Sequence, residues 1–501
     1  MTGRKNIRSE TTASSPVRRV ALVSLGCPKN LIDSERMLGL LAADGLVLTD
    51  DHTAADAIVI NTCGFLEASK TEALEVINEA LEEKNKALKK GRSKRVIVAG
   101  CLVQRQRSKL LEAAPGIDAL VGVFDRENIV SAVCSAPAVG TSADMGHFHP
   151  VTQMIHRHDR NTASYFASDA GRLRLTPRHY SYLRISEGCN QGCTFCTIPG
   201  IRGRMRSKPL VNIIKEAREL VTDGAFELNI IGQDTTSYGG DIGYNGPGEG
   251  LTGLIQALDK IDGVGWIRLM YAYPSCFTDD MIRALADARR WVKYIDIPLQ
   301  HIHDDILHTM RRKTSRRQII TLLEKLRHWI PGISIRTTFI SGFPGETEVQ
   351  HKELVEFVRQ FKFDCLGVFE YSPEPETLAG RLWKTQAVAA EVVQRRREEI
   401  MLAQQEVVGR INQAQVGKTV TVLIDAVDKT RRAAVGRHAG QAPDIDGQVL
   451  LHGLDATAGD LIPVKIEDWK HYDLIAMPLN YKNNRAVHKP LNLPVLTEQA
   501  V

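Results

Sequence analysis

Two series of alternating strand-like and helix-like segments run through the sequence and limit the folds that it can adopt. Between residues 19 and 115, an apolar run followed by an amphipathic stretch occurs three times. From residue 180 onward the same step occurs six times within about 190 residues. Such alternation predicts parallel sheets joined by crossover helices. We therefore expect an α/β protein with an N-terminal parallel α/β domain and a central open (β/α)6 barrel, which is a partial TIM barrel.

A third pattern follows a charged helical stretch near residues 391–414. Five short β-type runs are separated there by Gly, Pro and Asp, and they predict a small five-stranded β-barrel of OB-like size. The length of 501 residues agrees with about three domains, since one domain usually has roughly 100 to 200 residues.

The sequence shows no sign of a membrane or secretory segment. No apolar run approaches the ~18 residues that a membrane-spanning helix needs, and the first twenty residues lack the apolar stretch of a signal peptide. We therefore expect a cytoplasmic protein without a membrane partner. In a reducing compartment, the nine cysteines indicate buried thiols, metal ligands or catalytic groups and not a disulfide framework.

Three cysteines end the apolar runs of the first series, namely Cys27, Cys63 and Cys101. The carboxyl ends of parallel strands share one edge of a sheet, so these thiols are expected to converge. Pro28 and Gly64 directly follow two of them and predict tight turns that expose the preceding side chain. The alternative is that three small apolar residues fill similar positions in the core.

A second trio, Cys189, Cys193 and Cys196, forms the pattern C-x3-C-x2-C just after the first strand of the predicted barrel. Thiolates at this spacing can bind three corners of an iron–sulfur cube and leave one iron open for a chelating cofactor. A zinc site is the competing interpretation, but it needs a fourth ligand, and neither Cys276 nor His179 stands at a zinc-motif spacing. A simple ferredoxin would use C-x2-C-x2-C instead.

The other candidate residues have weaker patterns. Cys134, Cys276 and Cys365 lie in helix-like or core-like runs and are predicted to be structural. The histidine-rich residues 147–161 favour an interdomain linker over a metal site. Phe195 either packs against a cluster or fills the core of its loop. Several polar or turn residues follow barrel strands, where they could serve either in a site or as helix caps and turns. No role is assigned to them. They are Gln233, Asp234, Ser237, His301, Gly342, Pro344 and Glu346.

Six segments resemble the radical S-adenosylmethionine methylthiotransferase family, and within it the enzymes that modify an aspartate of small-subunit ribosomal protein S-twelve. These segments are GCPKNLIDSE (26–35), INTCGFLEASKTEAL (60–74), LTPRHYSYLRISEGCNQGCTFCTIPGIRGRMRSKP (175–209), IIGQDTTSYG (230–239), YIDIPLQH (294–301) and FISGFPGETE (339–348). The resemblance extends from about residue 17 to 478 with both cysteine trios in register. Lys208 stands where we expect an arginine.

The resemblance implies a domain organisation and a set of cofactors. The expected segments are a disordered tail (1–16), a methylthiotransferase N-terminal domain (17–133), a linker (134–174), a radical SAM core (175–408), a TRAM domain (409–480) and a second tail (481–501). Two 4Fe-4S clusters and S-adenosyl-L-methionine are implied. Cys189, Cys193 and Cys196 would hold the radical SAM cluster and bind S-adenosylmethionine through its open iron. The second cluster, which carries the sulfur, would be held by Cys27, Cys63 and Cys101.

The implied reaction replaces a hydrogen on the aspartate β-carbon with a methylthio group and uses two S-adenosylmethionine molecules. That C–H bond is too weakly acidic for a protein base near neutral pH, so a 5'-deoxyadenosyl radical is needed. No side chain beyond the cluster ligands is assigned a catalytic role. The expected partners are ribosomal protein S-twelve or the small ribosomal subunit, a low-potential electron donor such as flavodoxin or ferredoxin, and a sulfur donor.

Two alternatives stay open, a tRNA adenosine methylthiotransferase of the same family and a nucleic-acid or ribosome-binding module whose cysteines hold structural metal only. The formal charge of +5 does not favour nucleic acid, because it lies mainly in the two ends of the chain. Residues 412–476 contain seven basic and nine acidic side chains, which favours a basic protein partner unless the aspartates are turn residues. Those aspartates are Asp425, Asp428, Asp444, Asp446, Asp455, Asp460 and Asp468.

Overall fold

A computed structural model describes residues 17–135, 147–148 and 168–479 of the chain. The described residues form two compact units. The first contains the described residues up to 148 together with Gly171–Leu173, and the second contains residues 168–170 and 174–479. The predicted tails, 1–16 and 481–501, and most of the predicted linker lie outside the described residues.

The first unit is a parallel sheet covered by helices on both faces. Its described strands are β1 (Arg19–Ser24), β2 (Val47–Leu48), β3 (Ala57–Thr62), β4 (Arg95–Gly100), β5 (Ala119–Gly122) and β6 (His147–Phe148). Its described helices are α1 (Pro28–Ala43), α2 (Glu67–Lys89), α3 (Cys101–Gln106), α4 (Lys109–Ala113) and α5 (Ile129–Cys134), and a 3-10 helix covers Val123–Asn128. Within these ranges the strand order is β2-β1-β3-β4-β5-β6, and all neighbours are parallel.

Burial on both faces explains why the strands of this sheet are apolar almost throughout. Every residue of β3 is buried. Successive side chains point to opposite faces, so Ile58 and Ile60 join the apolar cluster that includes Ile77 of α2, while Val59 joins the cluster that includes Met37 of α1. The sheet also continues further than the sequence predicts, because β6 lies inside the predicted linker and pairs with β5.

The second unit begins with the predicted open barrel. Its strands are β7 (Tyr180–Arg184), β8 (Ser186–Glu187), β9 (Arg206–Ser207), β10 (Glu227–Ile231), β11 (Trp266–Leu269), β12 (Trp291–Asp296), β13 (Ser334–Ser341) and β14 (Cys365–Glu370). Six of them form a parallel sheet in the order β14-β13-β12-β11-β10-β7, which confirms the predicted (β/α)6 arrangement for the described residues. The short strands β8 and β9 form a separate antiparallel pair.

Helices connect the barrel strands and cover the sheet. They are α6 (Ile198–Arg202), α7 (Leu210–Thr222), α8 (Gly250–Leu258), α9 (Asp279–Asp287), α10 (Asp304–Thr309), α11 (Arg316–Trp329), α12 (Glu348–Phe361), α13 (Leu378–Gln386) and α14 (Ala390–Gln413), with 3-10 helices at Gly240–Ile242 and Pro274–Cys276. Among the helices in the described ranges, none has both the length and the apolar character needed to cross a membrane.

The terminal part of the second unit is a closed β-barrel, as predicted. It contains β15 (Thr419–Asp428), β16 (Ala433–His438), β17 (Val449–His452), β18 (Leu461–Lys470) and β19 (Asp473–Pro478), in the order β15-β16-β17-β19-β18. This barrel packs on the amino-terminal end of the open barrel. His179, just before β7, bonds to Asp425 at 2.8 Å, and Glu227, which begins β10, accepts from Arg437 at 2.8 Å.

Candidate metal centres

The parallel pairing of β1, β3 and β4 brings the first cysteine trio to one edge of the sheet. Cys27, Cys63 and Cys101 follow the carboxyl ends of these three strands. Thr62 pairs with Gly100, so Cys63 and Cys101 occupy equivalent positions one residue beyond the paired strands. The predicted convergence on one edge therefore agrees with the strand register.

Two glycines allow the chain segments that carry this trio to approach closely. A Cβ added at Gly26 would lie 2.6 Å from Cys63 Cβ and 3.2 Å from its Sγ. A Cβ added at Gly64 would lie 2.7 Å from Leu102 Cα and 3.1 Å from the carbonyl carbon of Cys101. Glycine at both positions is required by this close packing.

The three thiols of this trio differ in exposure. Cys27 is exposed and is the N-cap residue of the 16-residue helix α1. Cys63 and Cys101 are 9% and 6% exposed. The prediction that the turn after Cys63 exposes its side chain is therefore wrong, because that turn packs directly on the backbone of Leu102.

The second trio lies in a loop whose two ends are joined by the antiparallel pair β8–β9. The backbone N–H of Cys189 donates to Gly203 O at 3.2 Å, and that of Cys196 donates to Cys193 O at 3.2 Å. Gly188 has φ +78°, and a Cβ there would lie 2.3 Å from Arg204 O. The first turn of the loop therefore requires glycine, while the wrapping of the loop around a cluster stays a prediction.

The donor set of this loop fits an iron–sulfur cluster. Burial raises the pKa of Cys189 to about 11 and that of Cys196 to about 12, so these side chains are thiols until a metal replaces their protons. In the described parts of the chain, no group of three or more His, Cys, Asp or Glu side chains is arranged to hold a single metal ion. An iron–sulfur cube does not need three side chains around one ion, because each cysteine binds a different iron. Three cysteine thiols are therefore a donor set that three irons of such a cluster can use.

A buried arginine and a tyrosine contact one ligand of the second trio. Arg312 Nη1 lies 3.6 Å from Cys193 Sγ, and the Tyr273 hydroxyl lies 3.8 Å from the same sulfur. The Arg312 guanidinium stacks on the Tyr273 ring with its Cζ 4.0 Å from the ring centroid. Neither residue was predicted from the sequence. Tyr273 carries the same signal as Gln233, since it comes shortly after a barrel strand, whereas no local pattern marks Arg312.

Two of the polar candidates contact the cysteine loop directly. Gln191 Nε2 donates to Asp234 Oδ2 at 2.6 Å and to Ser237 Oγ at 3.2 Å. Ser237 Oγ also donates to Asp234 Oδ2 at 2.6 Å, and the Asp234 side chain is fully buried. These strand-end residues therefore help to hold the loop that carries the second trio.

The candidates after β12 and β13 form a buried network. His301 Nδ1 accepts from His303 N at 3.0 Å, so Nε2 carries the proton and donates to Glu346 Oε1 at 3.3 Å. Gly342 N and Arg396 Nη1 donate to Glu346 Oε2 at 2.6 and 3.2 Å. Burial lowers the pKa of His301, which keeps it neutral. This network favours a structural role for His301 and Glu346.

Three further candidates have packing or hydrogen-bond partners that account for them. Phe195 forms an edge-to-face contact with Phe343 at 6.4 Å and packs on a buried apolar cluster formed by residues outside its loop. Gln233 Nε2 donates to Glu187, which precedes the cysteine loop. Pro344 is buried.

The cysteines outside the trios have different surroundings. Cys276 Sγ lies 3.3 Å from both Gln191 Nε2 and Ser237 Oγ, so it contacts the cysteine loop and does more than fill the core. Cys134 is exposed at the end of α5 and fills no core position. Cys365 begins β14, and burial raises its pKa.

Lys208, which stands where we expected an arginine, is fully paired. Its Nζ lies 2.6 Å from Asp169 Oδ2 and 2.6 Å from Glu216 Oε2. Asp169 in turn accepts two hydrogen bonds from Arg184, at 3.0 and 2.6 Å. All four side chains are buried, so the lysine satisfies this charge network.

The aspartates of the terminal barrel serve contacts within the chain. Asp425 pairs with His179 and Arg437, and Asp446 accepts from the Tyr294 hydroxyl at 2.8 Å. These aspartates therefore do not favour a basic partner, because turn and packing roles account for six of the seven, and the seventh, Asp455, is exposed. Further carboxylates that accept hydrogen bonds from nearby groups are Asp428, Asp444, Asp460 and Asp468.

Three family models match successive parts of the chain. The uncharacterized protein family UPF0004 matches residues 19–122, the radical SAM superfamily matches 183–358, and the TRAM domain matches 416–478. Each range lies inside one predicted domain, while the exact domain boundaries stay predictions. Among solved structures, the chain is similar to the radical S-adenosylmethionine methyltransferase TsrM from Kitasatospora setae. The TM-score is 0.52 at 14% identity, over 72% of this chain and 75% of that chain, which is a likeness of fold.

Relatives of known name match almost the whole chain. A protein of Geotalea uraniireducens is 40% identical over 464 residues, which are 92% of this chain and 99% of that protein. A protein of Bdellovibrio bacteriovorus is 40% identical over 462 residues, 91% of this chain and 97% of that protein. Both are named ribosomal protein uS12 methylthiotransferase RimO. With this identity over nearly the full length, the chain belongs to the family of ribosomal protein uS12 methylthiotransferases.

Proposed function

We propose that this chain is a radical SAM enzyme that methylthiolates the β-carbon of an aspartate in ribosomal protein uS12. The observation that carries the proposal is the presence of two cysteine trios, one at the edge of a parallel sheet and one in the loop after the first barrel strand. The family membership supports the class of enzyme and the substrate. The radical SAM match over residues 183–358 supports the use of S-adenosylmethionine and one 4Fe-4S cluster.

Each trio is proposed to hold one 4Fe-4S cluster. When bound, the two clusters and two S-adenosylmethionine molecules would supply removal of the β-hydrogen, the sulfur atom and its methyl group. The chain's own residues orient these groups and exclude water, since most of the ligand thiols are buried or half-buried. The ligands of the radical SAM cluster would be Cys189, Cys193 and Cys196. The ligands of the second cluster would be Cys27, Cys63 and Cys101.

The proposed reaction also requires partners. Replacement of hydrogen by sulfur on an unactivated carbon needs a low-potential electron donor, such as a flavodoxin or a ferredoxin, to start the radical chemistry. The sulfur atom requires a sulfur donor. The substrate would be free uS12 or uS12 within the small ribosomal subunit, and we propose that the enzyme acts in the cytoplasm.

The test is turnover by the full chain after anaerobic reconstitution with iron and sulfide. S-adenosylmethionine and dithionite are added together with uS12 in one sample and with tRNA in another, and both products are analysed by mass spectrometry. We expect a methylthio group on one aspartate of uS12. Cys193→Ala should abolish the product, whereas Cys134→Ala, which changes an exposed cysteine outside both trios, should retain it.

Two results would contradict the proposal. A methylthio group on an adenosine of tRNA, with none on uS12, would assign the chain to the tRNA-modifying branch of the family. A chain that is fully loaded with iron but does not cleave S-adenosylmethionine would favour a binding module with structural metal.

A further inference from the structure

Arg312 is a buried cation without a carboxylate partner. The residue is 8% exposed, and no Asp or Glu of the described residues forms an ion pair with it. Its Nη2 donates to Pro298 O at 2.5 Å, while its Nε has no hydrogen-bond partner in the described part of the chain. A buried charge that lacks a counter-charge is costly, so this environment needs an anion.

Other buried arginines of the same unit are paired in the usual way. Arg184 binds Asp169 at 2.6 Å, and Arg268 binds Glu227 at 2.9 Å. Arg312 therefore departs from the pattern of its own unit.

The group that the geometry places beside Arg312 is the Cys193 sulfur, and a cysteine that binds iron does so as an anionic thiolate. Nη1 lies 3.6 Å from Sγ, within hydrogen-bonding range for sulfur. The Arg312 Cζ lies over the Tyr273 ring, 4.0 Å from its centroid, and a cation–π contact of this kind helps to hold an arginine in place. The Tyr273 hydroxyl is the second polar group near the same sulfur.

We propose that Arg312, supported by Tyr273, raises the reduction potential of the iron–sulfur cluster bound at Cys193. The inference rests on the proposed function, which places a 4Fe-4S cluster on that cysteine. Addition of one electron increases the negative charge of a group that its thiolate ligands already make anionic. A fixed cation, and an N–H donor to the ligand sulfur, stabilise the reduced form more than the oxidised form. Arg312 thus acts through Cys193 and makes the cluster easier to reduce.

The experiment is an anaerobic redox titration of the reconstituted full chain with dithionite as the one-electron reductant. Electron paramagnetic resonance reports the reduced cluster, and the signal that changes on addition of S-adenosylmethionine identifies the radical SAM cluster. In Arg312→Gln we expect about a tenfold lower ratio of reduced to oxidised cluster at a fixed potential, which is a midpoint about 59 mV more negative for a one-electron couple. Arg312→Lys keeps the charge and should show a smaller shift.

The matched control is Arg311→Gln, which removes the same charge from the adjacent, exposed residue. Its midpoint should equal that of the wild type. An unchanged midpoint in Arg312→Gln with full iron content would overturn the proposal, and so would an equal shift in the control. An unchanged midpoint with weakened binding of S-adenosylmethionine would assign the guanidinium to that ligand instead, which also overturns the proposal.

Two further measurements keep the test decisive. If Arg312→Gln does not retain iron, the same titration is made on Tyr273→Leu. Loss of the ring releases the guanidinium and should also lower the midpoint potential of the cluster. An unchanged midpoint in an iron-loaded Tyr273→Leu chain overturns the proposal. A wild-type chain that binds iron but shows no signal responsive to S-adenosylmethionine contradicts the proposed function itself, so the two failures are distinguishable.

Discussion

Several basic side chains are buried in the second unit, and carboxylates neutralise their charges. Arg184, Arg268 and Lys208 are among its largest fully buried side chains, and each meets a carboxylate. Removal of one partner from such a pair costs about 3–5 kcal/mol, because the other charge stays buried alone. Arg312 differs from these residues, because its polar neighbour is a cysteine sulfur and not a carboxylate.

His438 is a half-buried residue whose neutral form the fold favours. Its Nδ1 accepts from Gly440 N at 3.0 Å. Burial lowers the pKa of His438 from 6.5 to about 4, and the charge of Arg268 acts in the same direction. In the unfolded chain the imidazole binds its proton near the ordinary pKa. The folded state therefore loses stability as the pH falls from about 6.5 to about 4, and the contribution is fully present above that window.

We predict that His438→Asn removes this part of the pH dependence. The Asn side-chain oxygen can accept the Gly440 N–H, and it does not titrate. The free energy of unfolding of the wild type should fall by up to about 3 kcal/mol more than that of the variant across the window. Urea denaturation at a series of pH values, followed by tryptophan fluorescence, measures this difference. Parallel pH curves for the two chains would contradict the assignment of the neutral form.

At the scale of elements, the position of the second trio depends on how a loop is closed. The pair β8–β9 joins the loop ends, and Gly188 begins the loop with φ +78°. A side chain there would meet the carbonyl oxygens of Arg204 and Gly203 at 2.3 and 2.6 Å. Backbone atoms cannot move aside as a flexible side chain can, so a substitution must displace the strand pair.

We predict that Gly188→Ala loses most of the iron bound by the second trio. The matched control is Gly200→Ala, in helix α6, where an added Cβ meets no atom within 4 Å. Iron analysis after reconstitution should show a wild-type content in the control. Full retention of iron in Gly188→Ala would show that the strand pair tolerates the displacement.

At the scale of the whole molecule, the two trios belong to different compact units. Each unit has its own apolar core, so each trio should assemble its cluster without the other. We therefore predict that replacing the three cysteines of either trio with alanine removes about half of the bound iron.

The two triple variants should differ in chemistry. Loss of Cys27, Cys63 and Cys101 should leave reductive cleavage of S-adenosylmethionine intact and abolish methylthiolation. Loss of Cys189, Cys193 and Cys196 should abolish both. Iron analysis and detection of 5'-deoxyadenosine measure these outcomes, and loss of all iron from one triple variant would show that the two sites depend on each other.

The six-step barrel and the five-stranded terminal barrel could be predicted from the sequence, and so could the three strands that precede Cys27, Cys63 and Cys101. Hydrophobic periodicity is a local property, and the cysteines stand at strand ends or at a fixed spacing within one loop. The strands β2, β5 and β6 of the first sheet were not predicted, and β2 and β6 have only two residues each, which are too few to show a period.

Contacts between residues far apart in the sequence became known only from the folded chain. Arg312 and Cys193 are 119 positions apart, and His179 and Asp425 are 246 apart. The burial of Cys63 and the internal pairing of the aspartates in the terminal barrel were likewise not predictable. Such contacts depend on where each strand end and loop lies after the chain has folded, and a one-dimensional pattern of residue types does not contain those positions.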